Sequence, residues 1–366
     1  MISPSNLRPR HLLHAAVLTT AILLPLVTQA EDCITQSALA PADRAALADA
    51  AHAIAAAVQA NDAATLRASS TPDIQRDFGA LQYMVAVTSP KLAGATPNVE
   101  QLYVLDATPL KPNTDGSNPE AQFYCSLNKT TMEADFAFPA LPPGRYAFVM
   151  VSIAAKPIPW RLSMLLSQTS GKWLLAGIYP KPVTLAGHDG LWYWTQARQF
   201  AQAKQQWDAW LYYQAAMNLL RPADFVLSTH LDKLHTETTA ATPPALSEGI
   251  SPQSPLVLKS PAKPTPPTKA ETKADPNAAP ATPSDLHFVA LAVTDSAASD
   301  TPILAATLHA DALTDPAAAR QRNTDAAQAL LTAYPELRKP FHSIAITTES
   351  PGQPPLATEI PIADLH

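Results

Sequence analysis

One run constrains this chain more than any other: His188 to Pro222, HDGLWYWTQARQFAQAKQQWDAWLYYQAAMNLLRP. Its 35 residues hold four of the six Trp and three of the nine Tyr. The spacing of the large residues predicts two helices of about four turns each, broken near Lys204-Gln205-Gln206. So many rings on one helical pair call for a covering surface. The expected cover is the pair of long helices predicted upstream, over 41–60 and 72–89. On that reading the hairpin is internal cement and carries no chemistry of its own.

The rest of the chain can supply a core, since 47% of its 366 residues are hydrophobic and only 15% are charged. Residues 1–30 read as a signal peptide, with Arg8, Arg10 and His11 before an apolar core from Ala15 to Val27. Small residues precede the expected cut after Ala30. That core is about 13 residues, short of the roughly 20 that span a bilayer. Glu31-Asp32 before Cys33 argue against a lipid anchor. The mature chain would carry 23 Lys and Arg against 31 Asp and Glu, a net charge of −8. An acidic surface argues against nucleic acid as partner, and without a cationic amphipathic helix no stable membrane insertion is expected. Cys33 and Cys125 both lie in the exported part, so a single disulfide is the expectation, with two buried thiols as the alternative.

In chain order, 31–96 reads as N-terminal helices. Asn61-Asp62 caps a short turn there, and Thr71-Pro72-Asp73 starts a helix running to about Ser89. Residues 97–185 then alternate as six strands: 99–107, 121–127, 132–138, 145–153, 160–167 and 172–179. The hairpin region spans 186–237, its tail 223–237 forming one more short helix. Thr238 to Asp285 holds 11 prolines, one glycine and no aromatic residue, the composition of a semi-rigid disordered linker with a basic middle at Lys259, Lys263, Lys269 and Lys273. Residues 286–366 read as strand, strand, helix, strand, strand, an α+β layer.

Phe136-Ala137-Phe138-Pro139-Ala140-Leu141-Pro142-Pro143-Gly144-Arg145-Tyr146 resembles the turn of transthyretin-like sandwich modules, in which Pro-Gly makes the turn and the Tyr packs back on the sheet. That resemblance implies a β sandwich and no activity. Long helices ahead of a sheet closed by Gly171-Lys172-Trp173-Leu174-Leu175-Ala176 are similar to nuclear-transport-factor-like cones, which would instead imply a curved sheet around a pocket. The hairpin resembles one degenerate tetratricopeptide unit, with Tyr193, Ala197, Phe200, Ala209, Tyr213 and Ala216 at the repeat's large and small positions. One such unit cannot form a solenoid groove. As a whole the order of parts, ending in a module with Tyr334-Pro335-Glu336-Leu337, resembles an uncharacterised family of exported bacterial proteins, which implies export and architecture only.

Two places could carry chemistry. His188-Asp189 beside Trp192, Tyr193 and Trp194 could form an acid/base dyad or hold a sugar ring, or Asp189 could simply cap a helix. His230, Asp232 and His235 are zinc-ligand types, but on a helix residues i and i+5 point about 140° apart. Hydrolase motifs such as G-x-S-x-G and H-E-x-x-H do not occur. The sequence thus predicts a multi-domain α+β protein: helices, an antiparallel β sandwich (alternatively a cone), a helical hairpin and a ββαββ C-terminal module. Its expected role is non-catalytic binding or scaffolding in the periplasm or cell envelope. Another envelope protein or a cell-wall polymer is the expected partner, the surface of His188, Asp189, Trp192 and Trp194 the expected contact, and no metal or cofactor is implied. The rival expectation is a small-ligand receptor or enzyme with a pocket inside a curved sheet.

Overall fold

A computed structural model describes residues 32–126, 133–261, 284–296 and 301–365. The leader, Leu127 and Met132 at two strand ends, and the linker's Lys263, Lys269 and Lys273 lie outside the described residues.

The chain is α+β with mostly antiparallel sheets. It begins with strand β1 (Asp32–Thr35) and helices α1 (Pro41–Gln59), α2 (Ala63–Ala68), α3 (Pro72–Arg76) and α4 (Gly79–Leu92). Asp62 caps α2 as expected, its carboxylate accepting from the Thr65 amide. The single helix expected over 72–89 is instead α3 and α4, broken at Asp77 (φ −120°, ψ 66°), and α4 runs past Pro90 to Leu92. Gln59, the last residue of α1, ties that helix to the end of α4, donating to the Leu92 and Ala95 carbonyls at 2.9 and 2.7 Å.

Six longer strands follow: β2 (Pro97–Asp106), β3 (Ala121–Ser126), β4 (Glu133–Phe138), β5 (Arg145–Ile153), β6 (Trp160–Thr169) and β7 (Lys172–Pro182). They form a five-stranded sheet ordered β1-β2-β5-β6-β7 and most of a three-stranded one. Alternation divides the larger sheet's residues cleanly. Leu102, Val104, Ala147, Val149, Val151 and Ile153 face α1 and α4, whereas Tyr103, Leu105, Tyr146 and Phe148 face Phe123, Phe136 and Phe138 of the smaller sheet. The result is helices on sheet on sheet, a sandwich with one helical cover. Tyr146 turns back over the Pro142-Pro143-Gly144 turn, its hydroxyl donating to the Pro142 carbonyl at 2.9 Å. Cys33 and Cys125 are joined, Cα to Cα 5.4 Å, so the bond pins β1 of one sheet to β3 of the other.

The chain then makes β8 (Thr184–Leu185) and β9 (His188–Asp189), helices α5 (Gly190–Gln202) and α6 (Gln206–Leu220), strand β10 (Val226–Ser228) and helix α7 (Thr229–Ala240). The hairpin break falls where the sequence puts it. The tail expected as one helix is a strand and a helix: β10 is the edge strand of the smaller sheet, ordered β10-β4-β3, and Ser228 caps α7. Gly190 is needed because a Cβ there would stand 2.6 Å from Leu220 Cγ and 3.2 Å from Leu219 Cβ. Gly190→Ala is expected to cost about 1–3 kcal/mol through overpacking, read as a lower urea midpoint with an unchanged slope.

The last strands are β11 (Leu256–Lys259), β12 (Asp285–Asp295), β13 (Pro302–His309), β14 (Ser343–Glu349) and β15 (Leu356–Pro361), with α8 (Pro316–Ala333) between β13 and β14. They form one sheet in that order, antiparallel except for β13 against β14, which the α8 crossover makes parallel. Two expectations change here. The linker reading over 238–285 is too wide, because α7 runs to Ala240 and β11 pairs residue for residue with the start of β12. The hairpin rings are also not covered by α1 and α4. Tyr193, Trp207, Trp210, Tyr212 and Tyr213 share one core with Phe288, Leu291, Leu330, Leu331 and Phe341 of the C-terminal sheet and its helix. That sheet presents a continuous apolar face too wide for α8 alone, and the aromatic hairpin is the matching surface.

Both ends of α6 are held by groups of the sign a helix dipole favours. At its start Glu336 accepts from the Trp207 amide at 2.8 Å, while Tyr334 lies over the Trp207 ring, centroids 4.0 Å apart. At its end Arg161 of β6 donates to the Leu219 carbonyl at 2.9 Å, and Lys181 of β7 to the Arg221 carbonyl at 3.1 Å. The Tyr334-Pro335-Glu336-Leu337 run is thus the clasp between the C-terminal module and the hairpin. Helix α6 is the strut between that module and the sandwich.

Candidate functional site

The sandwich is not filled throughout. A cavity of about 760 Å³ opens between its inner faces and helices α5 and α7. Tyr103, Phe136 and Phe148 form its floor, the Phe136 ring 5.2 Å from each of the other two. These residues alternate inward on β2, β4 and β5, so the pleat alone aims them there. Leu191, Trp194, Thr195 and Arg198 form one wall, the i, i+3, i+4, i+7 stripe of α5. Ser228, His230, Leu231 and Lys233, from the first turns of α7, form another, and Glu133 stands at the start of β4.

One carboxylate fixes the α5 wall. Glu237 of α7 accepts from Trp194 Nε1 at 2.7 Å and from Arg198 Nε and Nη2 at 2.8 Å each, and the Tyr213 hydroxyl also donates to it. The Arg198 guanidinium lies over the Trp194 ring, 4.5 Å from its centroid. The bonds from Arg198, Trp194 and Tyr213 hold the Glu237 carboxyl below its ordinary range despite partial burial. Burial first, and then Glu237, pushes the Tyr213 phenol up to about 12. Glu237→Gln keeps the shape and loses the charge-assisted bonds, an expected cost of about 1–2 kcal/mol at neutral pH. Because the folded carboxyl is depressed, its stabilisation is present above its ordinary value of 4.5 and fades as pH falls below it. The wild type should therefore approach the variant in acid, followed by urea unfolding across that range.

The residues singled out in the sequence are dispersed. Trp194 lines the cavity; His188, Asp189 and Trp192 do not. Ala186 (φ 46°) and Gly187 (φ 75°) make the two-residue turn between β8 and β9, Asp189 accepts from the Trp192 amide at 2.8 Å as the cap of α5, and His188 stacks on Trp192 at 3.7 Å. The Ala186-Gly187-His188-Asp189-Gly190 run is therefore a turn, a cap and a close helix contact. His230 faces the cavity, but α7 is continuous through His235, so the two rings point apart. Among the described residues no group of three or more His, Cys, Asp or Glu is placed to hold a metal ion. Tyr103, Phe136, Phe148 and Lys233 were given no ligand-binding role in the sequence, where inward-facing strand residues look alike whether they fill a core or line a void. In the C-terminal module His309 Nε2 meets Glu349 Oε2 at 2.9 Å on paired strands, both partly exposed.

No family model, curated protein or solved structure matches this chain. No helix among the described residues is long and apolar enough to cross a membrane. What the site does has to be read from its own geometry.

Proposed function

We propose that this is an exported, non-catalytic binding protein that takes a small ligand with an apolar body into the cavity between the sandwich, α5 and α7. The observation that carries this reading is a space of about 760 Å³, within the size range of small-molecule sites, floored by aromatic rings and rimmed by a few polar groups. The disulfide agrees with an oxidising compartment. Binding is favoured over catalysis because the serine and threonine hydroxyls around the site bond backbone groups. Ser228 Oγ accepts from the Leu231 amide, Thr229 Oγ1 from the Glu133 amide, and Thr195 donates to the Leu191 carbonyl. None pairs with a base as an activated nucleophile would.

The neutral apolar dye N-phenyl-1-naphthylamine tests this. Its fluorescence should rise on mixing with the mature chain, and Thr195→Trp, which adds bulk to the cavity from an exposed position of its α5 wall, should remove at least nine-tenths of that rise. Far-ultraviolet circular dichroism must stay unchanged in the variant. Undiminished dye binding by folded Thr195→Trp would place the dye elsewhere and end this reading.

A further inference from the structure

The walls of the cavity differ in sign, and that difference bears on the ligand. Arg198 and Lys233 line it from α5 and α7, with His230 beside them. Glu237 engages Nε and Nη2 of Arg198, which leaves Nη1 with no bond among the described residues, and Lys233 makes no ion pair there. Buried or half-buried cations held in place by neighbours are the usual means of gripping carboxylate or phosphate, and Arg198 is held by its fork and by the Trp194 ring. Negative charge collects on the β4 side instead. Glu133 alone of the described carboxylates lines the cavity, at the start of β4, while Asp135 and Asp232 lie outside its lining; burial first, and then Glu133 and Asp232, push the Asp135 carboxyl up. A bound anion is therefore repelled from β4 and drawn to the gap between Arg198 and Lys233. Its apolar part is left over the Tyr103, Phe136 and Phe148 rings.

We infer that the ligand is an anionic amphiphile, a single chain or ring carrying a carboxylate or phosphate, with its head between Arg198 and Lys233 and its apolar body on the aromatic floor. The inference rests on the preceding reading of the cavity as a binding site and adds the sign and place of the head group.

The test displaces N-phenyl-1-naphthylamine from the full mature chain with four ligands that share a twelve-carbon chain: dodecanoate, dodecyl phosphate, 1-dodecanol and dodecyltrimethylammonium. Expected is displacement by at least one of the two anions at a concentration ten or more times lower than by dodecanol, with the ammonium weakest. The stronger of the two anions tells carboxylate from phosphate. In Lys233→Gln the anion's affinity should fall about tenfold more than that of dodecanol. Equal displacement by anions and dodecanol overturns the head-group inference and leaves the cavity reading standing, and so does an ammonium that binds best. A loss in Lys233→Gln that affects dodecanol equally also overturns it. Absence of any dye binding to the wild type overturns both.

Discussion

Asp208→Asn should stabilise this protein at pH 8 by up to about 4 kcal/mol and change it little at pH 4. Asp208 lies in the first turn of α6 with no exposed surface. One carboxyl oxygen accepts from Gln205 Nε2 at 3.1 Å, and the other has no partner. A helix start favours a negative charge, and Lys339 and the Gln205 bond pull the same way, but burial and the nearby Glu336 carboxylate prevail and push Asp208 up to about 7. Tyr212, the other titrating neighbour, has its phenol raised by burial and by Asp208. A carboxyl at its ordinary 3.8 when unfolded and near 7 when folded binds its proton more tightly in the fold. Its stabilisation is complete below about pH 4 and is lost as pH rises through about 7. Asparagine stays neutral throughout and can donate toward Glu336, so its profile should be flat where the wild type declines. Urea unfolding of both proteins at several pH values between 4 and 8 decides the matter, and parallel profiles would refute the account. The loss should appear first at the clasp of Tyr334 and Glu336 on Trp207, since Asp208 adjoins the residue that clasp holds.

That clasp also marks how far the sequence could be read. Strand β5 falls at the residues expected, because its apolar run is buried on both faces, against α1 and α4 on one side and the smaller sheet on the other. The aromatic hairpin is legible as buried for the same reason. Its partner is not, since a ring-rich stripe states only that it needs an apolar surface, and both α1 with α4 and the C-terminal sheet offer one. The deciding chemistry lies more than a hundred residues away, in a glutamate that meets a helix start and a tyrosine that meets Trp207. Strand β11 was hidden by average composition: Leu256-Val257-Leu258-Lys259 alternates properly but sits in a Pro-rich neighbourhood. The break at Asp77 and the strand at Val226–Ser228 are tertiary outcomes, the latter fixed by pairing with Ala134–Phe136. At the site, Trp194 drew notice in the sequence, but a void is a failure of side chains to meet, and no local pattern encodes that.

Removing the Cys33–Cys125 bond should cost the mature chain about 4.6 kcal/mol, the chain-entropy value for a closed loop of this size. The two residues are 92 apart in sequence, and the bond ties the outermost strands of two sheets. Strand β1 is only four residues long and pairs with β2 alone, so it has few ladder bonds to keep it in place. Cys125 is fully buried among Phe123, Phe136 and Leu105, so alanine is the better replacement, because serine would add a buried hydroxyl. Cys33→Ala/Cys125→Ala should therefore unfold at lower urea than the wild type. Its β1 amides should exchange with solvent well before those of β5, which pairs on both sides. Because β3 hands its order to β4, and β4 carries Phe136, dye affinity in the cavity should weaken as well. Asp208 belongs to the other core and shares no partner with this pair, so the two changes should add to within about 0.5 kcal/mol in a triple variant. A cost below about 1 kcal/mol would show that the sheets hold together by packing alone and that the covalent tie constrains little in the unfolded chain.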